Sequence, residues 1–232
     1  MVFRTALLAL ALPALFACSG GNTDDASGAP VGPSTSRDSP GSQAVVPQAQ
    51  QLTEAQLKDT LPSSSDMPAI FSPTEEDASH KDDESFLCGT DVDYFDRRNA
   101  EAKVGYGAQV GLSATRYSFG ISQFDSPAIA VEQIHALGDA IDSCTTFTSN
   151  GDTYRVAPMP AAPSDEDTVA VQLTTRSAGF AVAVDVLLVR TGSSLVASRS
   201  ATIGLAEGST VDDLVRLSRE TVDRYEAAAG IA

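Results

Sequence analysis

Two alternating apolar runs near the C-terminal end, joined by a turn too short for a crossover, constrain this chain more than any other feature. Val169, Val171 and Leu173 alternate in the first run, and Phe180, Val182, Val184, Val186 and Leu188 alternate in the second. An apolar residue at every second position marks a strand with one buried face. Ser177-Ala178-Gly179 turns the chain between these runs, and Thr191-Gly192-Ser193 turns it again into a third strand over 195–203. Strands joined this tightly run antiparallel, because a parallel pair needs a crossover of about a dozen residues or more. The same period places Tyr117, Phe119 and Ile121 on one face of a strand over 116–124. A partner strand is expected over 104–112, and another over 153–157.

Three helices complete the pattern. The first spans 52–61, where Thr53 with Gln56 forms a capping box, Leu52 can staple onto Leu57, and Pro62 stops the helix. Met67-Pro68 followed by Ile70 and Phe71 reads as an extended apolar hook. The second helix spans 126–144, with Ser126 as its cap and Pro127 in the first turn, where a missing N–H costs nothing. Ala130, Ile134, Leu137 and Ile141 recur at helical spacing, and Cys144 follows on the same face. The third helix is capped by Thr210 with Asp213, buries Val211, Leu214, Val215, Ser218, Val222 and Tyr225, and ends at Gly230. Tryptophan is absent, so Val, Ala, Leu and Ile supply most of the burial. The expected fold is α+β: one domain with a central antiparallel sheet and helices packed against one face.

The stretch before residue 52 shows no periodic apolar face. Residues 1–17 carry one basic residue, then an apolar run over 6–17 that is too short to span a bilayer and fits an export signal. Leu15-Phe16-Ala17-Cys18 with Ser19-Gly20-Gly21 resembles the lipobox of bacterial lipoproteins, although Phe16 is bulkier than the usual occupant of its position. That resemblance implies a Cys18 acylated on its sulfur, as by palmitate, which becomes the mature N-terminus and the membrane anchor. Two acyl chains anchor stably, since each buried methylene contributes about 0.8 kcal/mol. Residues 18–51 are rich in Gly, Ser, Pro, Thr, Ala and Gln and read as a flexible tether with a root-mean-square span on the order of 30 Å. The folded domain is expected over 52–232. An acidic run after Pro73 is expected to be a loop, and residues 91–99 a turn or short helix.

Export places the cysteines in an oxidising compartment, and with Cys18 acylated only Cys88 and Cys144 remain. They are expected to form one structural disulfide. Closing a loop of roughly 57 residues stabilises by about 4 kcal/mol in the chain-entropy model. No CxxC spacing marks a redox pair.

The remaining candidates for chemistry carry little. The net charge of −16 argues against nucleic acid as a partner. His80 lies among Asp77, Asp82 and Asp83, where solvated charge explains the composition better than a metal site. His135 has no GxSxG elbow to serve. Asp91, Asp93 and Asp96 begin like a calcium loop, but the glycine at position six and the glutamate at twelve are missing. Gly105, Gly107 and Gly111 fail the dinucleotide spacing and read as bends or close backbone approaches in a sheet. The expectation is therefore no catalytic residue, no metal and no cofactor.

The lipobox, the Pro/Ser-rich tether, the stretch LTEAQLKDTLPSSSDMPAIF, Cys88, the helix SPAIAVEQIHALGDAIDSC and the late Val-rich hairpin followed by a helix coincide in one chain. Together they resemble the PknH-like extracellular sensor domains that actinobacteria carry on receptor serine/threonine kinases and in free-standing lipoproteins. The resemblance covers about residues 50–230. It implies an α+β domain with a disulfide-stabilised antiparallel sheet and a cleft for an envelope ligand, with Cys88 and Cys144 as structural residues. Domains of that family usually carry two disulfides, whereas this chain holds cysteines for one. The expected role is a lipid-anchored, non-catalytic, extracytoplasmic ligand-binding or sensor-like module. The alternative is an envelope assembly or interaction protein that docks to a membrane protein partner.

Overall fold

The computed structural model describes residues 50–74, 88, 97–149, 152–159, 167–177, 179–204 and 210–231. The signal segment, Cys18, the tether up to residue 49, the acidic run with His80, residues 91–96 and residues 160–166 lie outside the described residues. Within them the chain is α+β, as the alternation and the helical stripes require.

Eight strands form one sheet: β1 (Ser72–Thr74), β2 (Arg98–Val110), β3 (Ser113–Phe124), β4 (Thr146–Ser149), β5 (Asp152–Pro158), β6 (Thr168–Ser177), β7 (Phe180–Thr191) and β8 (Ser194–Ile203). Their spatial order is β1-β2-β3-β8-β7-β6-β5-β4, and every neighbouring pair is antiparallel. The sheet is two meanders, β1–β3 and β4–β8, joined where β3 pairs with β8. Three helices accompany it: α1 (Glu54–Thr60), α2 (Pro127–Asp142) and α3 (Thr210–Ala229).

The connection between the meanders explains the length of α2. From β3 to β4 the chain passes five strand positions, about 24 Å at 4.8 Å per strand. The 16 residues of α2 rise about 24 Å. The helix therefore crosses the sheet and delivers Cys144 to its far side.

Helices cover both faces of the sheet, which corrects the expectation of one. Tyr117, Phe119 and Ile121 of β3 pack with Leu187 and Val196 beneath α1 and α3, together with Leu57, Leu214, Leu217 and Tyr225. Phe124, Leu188 and Leu195 instead join Ala130, Ile134 and Leu137 of α2 on the opposite face. The apolar stripe of β7 (Val182, Val184, Val186 and Leu188) belongs to the α2 side, while its neighbour Leu187 belongs to the α3 side. Each central strand is thus apolar on both faces along part of its length.

Several local expectations hold and others shift. Thr53 and Gln56 close the capping box, and Leu52 and Leu57 are buried in one cluster. Ser126 caps α2 without a side-chain hydrogen bond, and the helix stops at Asp142, before Cys144. The C-terminal helix begins at Thr210 and ends in Gly230 at φ +69°, with the Ile231 N–H donating to the Glu226 carbonyl at 2.9 Å. Its buried face also includes Leu217 and Thr221. The hook is a turn in which the Phe71 N–H reaches the Pro68 carbonyl, the Phe71 ring packs 5.1 Å from Tyr117, and Ile70 points to solvent. Strands β1 and β4 were not expected, and β2 begins six residues earlier than the alternation implied.

The chain enters this domain where it ends. Gln50 donates its N–H to the carbonyl of Ala229 at 3.0 Å. Gln123, buried at the end of β3, accepts from the Leu52 N–H at 2.9 Å and donates to the Leu52 carbonyl at 3.1 Å.

Candidate functional site

Cys88 and Cys144 meet at the far end of α2. Their Cα atoms are 5.9 Å apart and their sulfurs are joined. The pair packs with Ile141, Phe147 and Tyr154 against Val156, Val171, Leu173 and Val184, and the Phe147 and Tyr154 rings stack at 5.2 Å. Cys88 adopts φ +71°, and the bond ties it to Cys144.

His135 lies on the exposed side of α2. Gly105 and Gly107 sit in β2 where β1 pairs, and a Cβ on Gly107 would lie 3.0 Å from the Thr74 side chain. Gly111 forms the β2–β3 turn at φ +61°. The glycines mark close approach and a turn, as expected, and hold no nucleotide loop. Among the described residues no group of three or more His, Cys, Asp or Glu is placed to hold a metal ion.

The most distinctive polar cluster escaped the sequence reading. Asp185 on β7 is 3% exposed, faces the α3 side of the sheet, and accepts from Gln172 Nε2 at 2.8 Å and from Ser200 Oγ at 3.0 Å. Along β8 on that face follow Ser198 and Ser194, both fully buried, and Ser194 Oγ lies 2.7 Å from the Tyr225 hydroxyl. Ser198 and, on α3, Ser218 are buried without a protein partner for either hydroxyl. These small side chains let α3 lie close to the sheet. Burial, with the charges of Asp213 and Asp185 adding to it, raises the pKa of the Tyr117 phenol. Burial likewise raises that of Tyr225, against the hydrogen bond from Ser194.

In this arrangement the Asp185 carboxyl gathers two hydrogen-bond donors. Ser200 donates to a carboxylate, and the one described histidine, His135, lies on an exposed helix of the opposite face. An activated serine needs an adjacent base. A signal for Asp185 was present: it is the lone acid in ten residues, 180–189, that are otherwise apolar. A depression of about 330 Å³ on the outside of α3, lined by Asp212, Val215, Arg216, Arg219, Glu220 and Asp223, is formed by a single helix and encloses nothing.

No protein-family model matches the chain, and no curated protein matches it. Among solved structures the chain is similar to the extracellular domain of PknH from Mycobacterium tuberculosis, with 16% identity and a TM-score of 0.52 over 77% of this chain and 99% of that domain. It also aligns with CalU16 from Micromonospora echinospora at 12% identity and a TM-score of 0.28, covering 57% and 98% of the two chains. The first of these establishes a shared fold, in which nearly the whole PknH extracellular domain has its counterpart here.

Proposed function

We propose that this protein is a cell-envelope lipoprotein whose domain is a non-catalytic, extracytoplasmic ligand-binding or sensor-like module. The observation that carries the reading is the fold shared with the extracellular domain of PknH across 99% of that domain. The lipobox-like Leu15-Phe16-Ala17-Cys18 and the tether composition support anchoring through acylated Cys18 on the outer side of the cell membrane. No helix among the described residues is long and apolar enough to cross a membrane.

Mass spectrometry of the intact protein from native membranes tests the reading. The expected mass carries acyl groups on Cys18, lacks two hydrogens at the Cys88–Cys144 bond and, under gentle conditions, retains a ligand. Unmodified Cys18 would overturn the anchor. Turnover of an ester, peptide or glycan that a point mutation abolishes would overturn the non-catalytic assignment.

A second reading, an envelope interaction protein that docks to a membrane protein partner, is favoured by one observation. Four exposed large apolar side chains, Val110, Leu112, Phe180 and Ile203, gather at one end of the sheet.

A further inference from the structure

Strands β4, β5 and β6 present two unlike faces. Phe147, Tyr154, Val156, Val171 and Leu173 turn to the α2 side and form the apolar corner around the disulfide. Strand alternation sends Thr146, Thr148, Thr153, Arg155, Thr174 and Arg176 to the other side, the side of Gln172 and Asp185. On that side α3 lies over β7 and β8, and α1 lies over β2. None of the six belongs to a hydrophobic core; Thr174 is half-buried and the other five are exposed.

The register sets two guanidinium groups side by side. Arg155 pairs with Thr174, and Arg176 follows Thr174 by two residues on the same face, which makes the arginines diagonal neighbours about 7–8 Å apart in the backbone. Among the described residues neither has a hydrogen bond or an ion pair. Like charges so placed repel, and a chain with 31 acids against 15 bases had carboxylates to spare for pairing them. Among the described strand residues Asp185 is the one acid on this side of β4–β8, and it is buried and committed to Gln172 and Ser200. The pair is therefore arranged for an anion from outside the chain.

The surroundings narrow its chemistry. Threonines flank the pair: Thr146 stands opposite Arg155, Thr174 stands opposite it on the other side, and Thr148 stands opposite Thr153. Their hydroxyls both donate and accept, and no aromatic or large aliphatic side chain lies among them, which suits a hydroxylated body and not an apolar one. An extended polyanion would also meet the net charge of −16, whereas a small ligand meets only the local cations. A phosphate monoester brings a charge of about −1.5 to −2 and three acceptor oxygens, enough to engage two guanidinium forks.

We propose that Arg155 and Arg176 bind the phosphoryl group of a small sugar phosphate whose hydroxyls lie on the flanking threonines. The inference rests on the ligand-binding reading above and names the ligand class.

The test is calorimetric titration of the full-length protein in detergent, at low salt, with hexose 1-phosphates and 6-phosphates. At least one is expected to bind saturably, while the unphosphorylated hexose does not bind and inorganic phosphate binds more weakly. Arg155→Gln and Arg176→Gln are each expected to weaken binding about tenfold, and Arg116→Gln, exposed on the opposite face, to leave it unchanged. Unchanged melting temperatures confirm that the variants fold. Absence of binding by every hexose phosphate, indifference to both arginine variants, or inorganic phosphate binding as tightly as the sugar phosphates overturns the proposal. Arginine-dependent binding to phosphatidylglycerol vesicles in place of the sugars overturns it in favour of a lipid headgroup. A ligand retained from native membranes at equal occupancy in wild type and both arginine variants overturns this site and spares the ligand-binding reading; no retained ligand and no hexose phosphate binding overturns both.

Discussion

Asp185 shows how much one residue can depend on its neighbours. A carboxylate this deep in a sheet persists because Gln172 and Ser200 donate to it, and they in turn have their polar groups satisfied by it. Asp185→Ala is expected to lower stability by about 1–3 kcal/mol, as two buried donors lose their acceptor. It should appear as a lower urea midpoint at constant slope, and an unchanged midpoint would show that the network contributes nothing. Asp66 is a surface counterpart. The Ser63 N–H holds its pKa below the usual 3.8, burial opposes that, and Arg224 at 3.1 Å adds to the lowering. A carboxyl with a depressed folded pKa stabilises above its unfolded pKa and loses that contribution as pH falls through the folded value. The stability gap between wild type and Asp66→Asn is therefore expected to be constant at neutral pH and to close below pH 3.8; a gap that survives acid would assign it to packing.

At the scale of elements, α2 and the disulfide act as one device. The helix spans the strands between β3 and β4, and Cys144, two residues past its end, fastens residue 88 to that corner. Cys144→Ser is expected to reduce stability by about 4 kcal/mol in the chain-entropy model while leaving the sheet intact. A melting temperature equal to that of wild type would show that the bond adds no stability. The helix itself was legible because Ala130, Ile134 and Leu137 keep helical spacing. The hairpin of β4 and β5 was missed although Asn150-Gly151, between the two strands, is a strong hairpin signal. Strand β1 left no usable signal. Three residues with a central proline show no alternation, and proline is tolerated there because β1 is an edge strand.

For the whole molecule, the composition and the chain entry make the same division. The core is assembled from residues 52–229, and Gln50 is tied to Ala229 where both ends of the domain meet. Removing residues 1–48 is expected to leave the melting temperature unchanged. A fall of several degrees, equivalent to about 1 kcal/mol, would show that this stretch stabilises the domain. The sequence by itself determined which residues share a face, where the tight turns fall, and that an antiparallel sheet with helices results. These are local properties, written in periods of 2 and 3.6 and in turn residues. It could not determine that the stripes of β3 and β7 point to opposite faces, or that α2 and α3 lie on different sides. Those depend on the register between strands far apart in the chain, which alternation within one strand does not encode. Only the pairing of β3 with β8, and of β8 with β7, brings those residues into one frame.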